Sequence, residues 1–256
     1  MKSNRVGEEN YNAYGTLMKI VEYKNSKNII IEFQDEYKYR KKCLYKDFKN
    51  GIVKNPYDKT IFNMGCIGIG KYKNSINGKN TKIYDIWHSM MKRCYDPYYI
   101  NKEPTYADCF VCEEWLNFQR FAKWCEENYY EVEDKKMHLD KDILYKGNKI
   151  YSPKTCVFVP QRINQLFVKP NKRKKTLIGV NWREDRGKFY SYCSIIEENG
   201  KYKSVYLGSY VTENEAFYEY KKFKENYIKQ IANEYKNLIP SELYEAMYSW
   251  EVEIND

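Results

Sequence analysis

Nowhere in its 256 residues does this chain carry a run of about 18 apolar residues, the length a helix needs to cross a bilayer. No membrane span is expected. The opening segment MKSNRVGEENYN lacks the apolar core of a secretory signal, so a reducing cytoplasm is the expected compartment. Histidine is scarce, with only His88 and His138. The eight cysteines are scattered, and only Cys109 and Cys112 form a CxxC. A structural zinc site needs a second pair of ligands at matching spacing. Cys94, Cys125 or Cys156 would have to be recruited to it in three dimensions, so structural zinc is not expected. Buried, reduced thiols are the simpler reading. An acidic excess is also missing. The formal charge is +9 at pH 7, which suits a polyanionic partner without specifying one.

Tyrosine is what the chain has in quantity, 28 residues, and it can either fill a core or stack on bases. Mean hydropathy is low at −0.84. Disorder is still not expected, because aromatic and β-branched residues recur throughout.

The fold class read from the pattern is α+β, in several domains. Residues 1–76 form a small β domain: YGTLMKIVEY, KNIIIEFQDEY and KYRKKCLYKDF alternate apolar and polar residues, and GCIGIGKY reads as a strand closing a barrel-like sheet. The Asn/Ser/Gly tract at 73–80 breaks the pattern. Residues 77–168 then hold two helices and a finger. Ile83, Trp87, Met91 and Cys94 make one helix face, stopped by Asp96-Pro97. Trp115, Phe118, Ala122 and Cys125 make a second, with Glu113 and Glu114 in its first turn. His88, alone on its helix, reads as a packed or capping residue rather than a ligand. Residues 169–176, KPNKRKKT, form a basic linker whose Lys172, Arg173, Lys174 and Lys175 could lie along a phosphate backbone. Residues 177–256 give three strands, a helix opened by the capping box Thr212–Glu215, and a helical tail.

The stretch from His138 to Asn164 carries the chemistry. Strand alternation puts His138, Asp140 and Asp142 on one face and Lys141 on the other. Asn148 sits in the turn and Asn164 on the helix that follows Pro160. Two carboxylates and an Asn near one point suit a hard divalent cation and a phosphodiester. The same residues could equally serve to pin a hairpin.

Residues Tyr84 to Phe167 resemble the HNH-type (His–metal finger) endonucleases of bacteriophages. The resemblance rests on Val111, Cys112, Glu114, Trp115, Phe118, Phe121 and Trp124 for the helix. For the finger it rests on Leu139, Asp140, Lys141, Gly147, Asn148, Tyr151, Ser152, Pro153, Cys156 and Asn164. It implies a ββα finger that binds Mg²⁺ or Mn²⁺ through Asp140 and Asn164. It also sets Lys141 where active members carry the histidine base. Lysine is a weak base at neutral pH. His138 or a metal-bound hydroxide would then supply the base, or Lys141 would neutralise a phosphate.

The last domain resembles AP2-like DNA-binding domains through Gly179-Val180, Lys188-Phe189-Tyr190, Leu207-Gly208 and the helix with Glu215-Ala216 and Tyr220. That resemblance implies a sheet lying in the major groove of double-stranded DNA. Its candidate contacts are Trp182, Arg183, Arg186, Lys188, Tyr190 and Tyr192, with Lys201 and Lys203 beside them. The function implied is a phage DNA-binding protein of HNH type, either a homing-like nickase or a catalytically degenerate derivative. The alternative is a non-catalytic phage protein that inhibits a host defence protein, as an anti-CRISPR does.

Overall fold

The computed structural model describes residues 5–133, 135–168, 176–197 and 200–254. It is a mixed α+β structure with several small sheets. The chain divides into two compact units, Met1–Glu127 with Ile150–Ser152, and Asn128–Lys149 with Pro153–Asp256. No described helix is long and apolar enough to cross a membrane.

The first unit opens with an antiparallel meander of β1 (Glu9–Tyr11), β2 (Leu17–Asn25), β3 (Asn28–Phe33) and β4 (Arg40–Cys43), in that spatial order. Period-two alternation is its cause: Met18 pairs with Phe33 and Ile20 with Ile31, and all four side chains are buried. The short helix α1 (Tyr45–Lys49) adds Phe48 to that core. The barrel-like closure expected for this segment does not form. No closed barrel occurs among the described residues, and the sheet ends at β1 and β4. The stretch expected to close it makes only isolated bridges, Ile61 to Gly65 and Cys66 to Asn117. Its glycines answer a different demand. A Cβ on Gly65 would lie 2.9 Å from Met91 and 3.0 Å from Trp87, so the glycine is there to let a loop press onto a helix.

A two-residue hairpin, β5 (Ser75–Ile76) and β6 (Lys79–Asn80), turns at Asn77-Gly78, both with positive φ. Helix α2 (Lys82–Tyr95) is capped by Thr81, whose side chain accepts from the Tyr84 amide, and it buries Trp87, Met90, Met91 and Cys94. Asp96 ends it and caps α3 (Pro97–Lys102) through the Tyr98 amide. Strand β7 (Phe110–Val111) follows. The second expected helix is divided in two. Glu113–Leu116 form a 3-10 turn, and α4 (Phe118–Asn128) starts afresh, because the Asn117 side chain accepts from the Gln119 amide at 2.9 Å. Trp87 and Trp115 are both buried, and the Trp87 indole donates to the Trp115 carbonyl at 2.7 Å.

In the second unit, β8 (Met137–Asp140) leads to a loop. Strand β9 (Ile150–Tyr151) belongs to the first unit, where it runs parallel to β7. Then come β10 (Val157–Pro160), antiparallel to β8, and the helix α5 (Gln161–Leu166). The same unit holds the sheet of β11 (Val180–Arg183), β12 (Lys188–Ile196) and β13 (Tyr202–Tyr210), with β12 central. Helix α6 (Glu213–Tyr235) covers one face, packing Ala216, Phe217 and Tyr220 on Val180 and Cys193. Its capping box is formed on both sides. Helix α7 (Ser241–Tyr248) buries Leu243 and Met247. The chain beyond α7 returns to α6, where Lys221 donates to the Val252 carbonyl at 2.7 Å. Arg162 of α5 bonds Glu234 of α6 at 2.6 Å, which joins the β8–β10–α5 element to the sheet and helix.

Candidate nucleic-acid interface

Strand β8 buries Met137 and Leu139 and turns His138 and Asp140 to the opposite face. The strand ends at Asp140, so Asp142 and Lys141 fall outside its alternation. Asp140 instead organises the turn that follows: its Oδ1 accepts from the Asp142 amide at 2.9 Å and the Ile143 amide at 2.8 Å. Burial, and next the charge of Asp142, push its carboxyl up to about 6, although those two amides pull it downward.

Lys141 is buried. Its ammonium lies 3.0 Å from Asp142 Oδ2 and donates to the Asn148 carbonyl at 3.1 Å, while the Asn148 amide donates back to the Lys141 carbonyl at 2.6 Å. An ammonium offers three donors and no lone pair, so in its charged form, paired with Asp142, Lys141 accepts no proton from water. Asn164 sits in α5, half-buried between the buried Ile163 and Leu166 of its helix, and its carbonyl accepts from Phe167. The order β8, β10, α5 is a ββα path, with the helix packed on both strands.

This donor set suits a divalent cation poorly. One Asp140 oxygen is committed to two amides, and Asp142 is paired with a buried lysine that brings positive charge to the spot. Among the described residues no group of three or more His, Cys, Asp or Glu is gathered as a metal site. All eight cysteines are free thiols.

The face of the three-stranded sheet opposite α6 is different in kind. Tyr190 and Tyr192 lie on it with centroids 6.5 Å apart and planes 16° from parallel. Tyr206 of β13, the cross-strand partner of Tyr192, completes the cluster at 5.7 Å from Tyr190 and 5.3 Å from Tyr192. Arg183 sits 5.7 Å above the Tyr190 ring and pairs across the strands with exposed Lys188. Alternation puts both tyrosines on one face, and a β-bulge that skips Leu207 sets Tyr206 opposite Tyr192.

Of the remaining candidates, Trp182 is the cross-strand neighbour of Phe189, ring centroids 4.6 Å apart, on the side that packs toward α6. Arg186 lies in the exposed turn, 3.5 Å from Asp185, which also binds Arg183. Lys201 and Lys203 are exposed. Lys172, Arg173, Lys174 and Lys175 lie outside the described residues. Tyr206 was not among the sequence candidates. Its signal was the alternation of Tyr202, Ser204 and Tyr206, which repeats that of Tyr190 and Tyr192 across the turn.

No protein-family model, curated protein or solved structure matches the chain.

Proposed function

We propose that the protein binds double-stranded DNA through the open face of its three-stranded sheet, and that its HNH-like finger is a positioning element rather than a nuclease centre. The observation that carries this reading is the cluster of Tyr190, Tyr192 and Tyr206 with Arg183 and Lys188 on a solvent-facing sheet. Solvated tyrosines gain little from stacking on one another in the open. Phenol hydroxyls and a guanidinium together suit hydrogen bonds to phosphates and base edges, and a narrow sheet fits a major groove about 12 Å wide. The resemblance to AP2-like domains supports the same reading, and so does the +9 charge.

The finger supports the non-catalytic half of the proposal. Where the HNH-type enzymes carry a histidine base, this chain has a buried ammonium tied to Asp142 and Asn148. The loop is thereby held shut by a lysine.

The test is duplex binding followed by fluorescence anisotropy over a salt series. Affinity is expected to fall steeply with salt, and Tyr192→Ala and Arg183→Ala are each expected to weaken binding by about 1–3 kcal/mol. A protein with no salt-sensitive affinity for any duplex would end this reading. In the same samples, supercoiled plasmid is expected to stay intact with Mg²⁺ or Mn²⁺. Nicking by the wild type that Asp140→Ala abolishes would show instead that the finger is active.

A further inference from the structure

The first unit contains a guanidinium that pairs with no acid among the described residues. Arg93 lies in the last turn of α2. Its Nη1 donates to the Tyr151 phenol oxygen at 3.2 Å, and its guanidinium carbon sits 6.0 Å from the centroid of the Tyr106 ring. No carboxylate among the described residues forms an ion pair with it. The acids on either side are engaged elsewhere: Asp85 accepts from Asn80, and Asp96 caps α3.

By surface area Arg93 is half-buried, so it keeps an opening to solvent. Protein atoms still crowd it, and burial is the largest influence on its charge, opposing it. The guanidinium is nonetheless held above its ordinary range, with Tyr151, Tyr106 and Tyr99 as the raising neighbours and a hydrogen bond to Tyr151 among the causes. Of its five N–H donors, one is spent on Tyr151. The carbonyl end of α2 repays part of the cost of burying the charge. An acid would offset more, and none among the described residues pairs with it. Lys92, the preceding residue, places a second cation 5.8 Å from the Tyr99 ring. Lys92 at Tyr99 and Arg93 at Tyr106 and Tyr151 are linked by the Tyr99–Tyr106 ring contact, centroids 5.9 Å apart, where α2, α3, the Pro104–Tyr106 turn and β9 meet.

We propose that this corner of the first unit is a binding subsite for a phosphate-type oxyanion, with Arg93 as its forked anchor and Lys92 as its second cation. The Tyr99 and Tyr106 phenols flank the anion. A guanidinium fork presents parallel donors to two oxygens of a phosphate, and the third and fourth oxygens remain for Lys92 and the phenols. The proposal does not rest on the reading of the sheet face: it concerns the other unit and stands if the sheet binds no DNA. The same chemistry is offered by a free phosphate ion and by a backbone phosphate of a nucleic acid.

Inorganic phosphate titrated into the wild-type protein at constant ionic strength, with chloride as the balancing salt, tests it by calorimetry and by melting temperature. Saturable binding and a rise in Tm are expected. Arg93→Lys, which keeps the charge and loses the fork, should weaken binding about tenfold or more, and Arg93→Gln should remove it. If circular dichroism shows that Arg93→Gln does not fold, Lys92→Gln replaces it, with a several-fold loss expected. No saturable signal in the wild type, or unchanged affinity in the folded variants, overturns the proposal. A short duplex that displaces bound phosphate identifies the backbone as the source, and phosphate that stays bound identifies the free ion. Tyr192→Ala should leave phosphate binding unaltered, so failure of the sheet reading and failure of this one read out separately.

Discussion

Asp140 is the residue whose burial has the clearest measurable effect. Its carboxyl is pushed up to about 6 in the folded chain, from an ordinary value of 3.8. The folded state therefore holds the proton more tightly than the unfolded state does. Stability on this account is full below pH 3.8, falls as pH rises toward 6, and stays lowered above it, by up to about 3 kcal/mol. In EDTA, Asp140→Asn should keep the two amide bonds through its side-chain oxygen and shed the buried charge. Its Tm should exceed wild type at pH 8 and match it near pH 4; a pH-independent difference would refute the account. Asp140→Ala loses the turn acceptor and should cost about 1 kcal/mol even at low pH. Ser191 offers a simpler case. It is fully buried at the bulge and its hydroxyl has no hydrogen-bond partner. Ser191→Ala should be neutral or stabilising by about 1 kcal/mol in a urea melt.

At the scale of the element, the join between sheet and α6 depends on Gly179. Its φ is +77°, and an added Cβ would meet the Tyr220 ring at 2.2 Å. Gly179→Ala should destabilise the fold by about 2–4 kcal/mol, read by urea denaturation, because both the backbone and the ring would have to move. Thr212→Ala, which breaks the capping box, should cost about 1 kcal/mol. Elements of this kind were legible in the sequence because their signals are local. The α2 stripe, the Thr212 box and the β2–β3 alternation each declare themselves within a dozen residues. The segment from Gly65 to Gly70 misled for a physical reason: glycine spacing that looks like a strand was set by the close approach of Trp87 and Met91 at Gly65, of Asn117 at Gly68 and of Gln119 at Gly70, which no local pattern encodes. The candidate interface divides in the same way. Tyr190 and Tyr192 follow from alternation, but Tyr206 joins them only through cross-strand register and the bulge. Arg93 depends on residues brought together by three separate elements, and sequence spacing gave no hint of it.

For the whole molecule, the two units are not two consecutive lengths of chain. Tyr151, fully buried, completes the first unit from beyond the β8 strand: it pairs with Val111, its carbonyl accepts from Cys112 at 2.9 Å, and its hydroxyl holds Arg93. A fragment of residues 1–127 should melt well below one of residues 1–152, and Tyr151→Ala in the full chain should cost about 3–5 kcal/mol. Equal melting of the two fragments would show that β9 contributes nothing to the first unit. The same threading bears on biosynthesis. A nascent chain emerges at about 5–20 residues per second, and domains ordinarily fold in the order they appear. Here the amino-terminal half must wait, with its aromatic interior incomplete, until a segment made well after it has left the ribosome. Translation pauses that hold residues 150–152 inside the exit tunnel should therefore prolong its sensitivity to protease, and pauses placed after that segment has emerged should not.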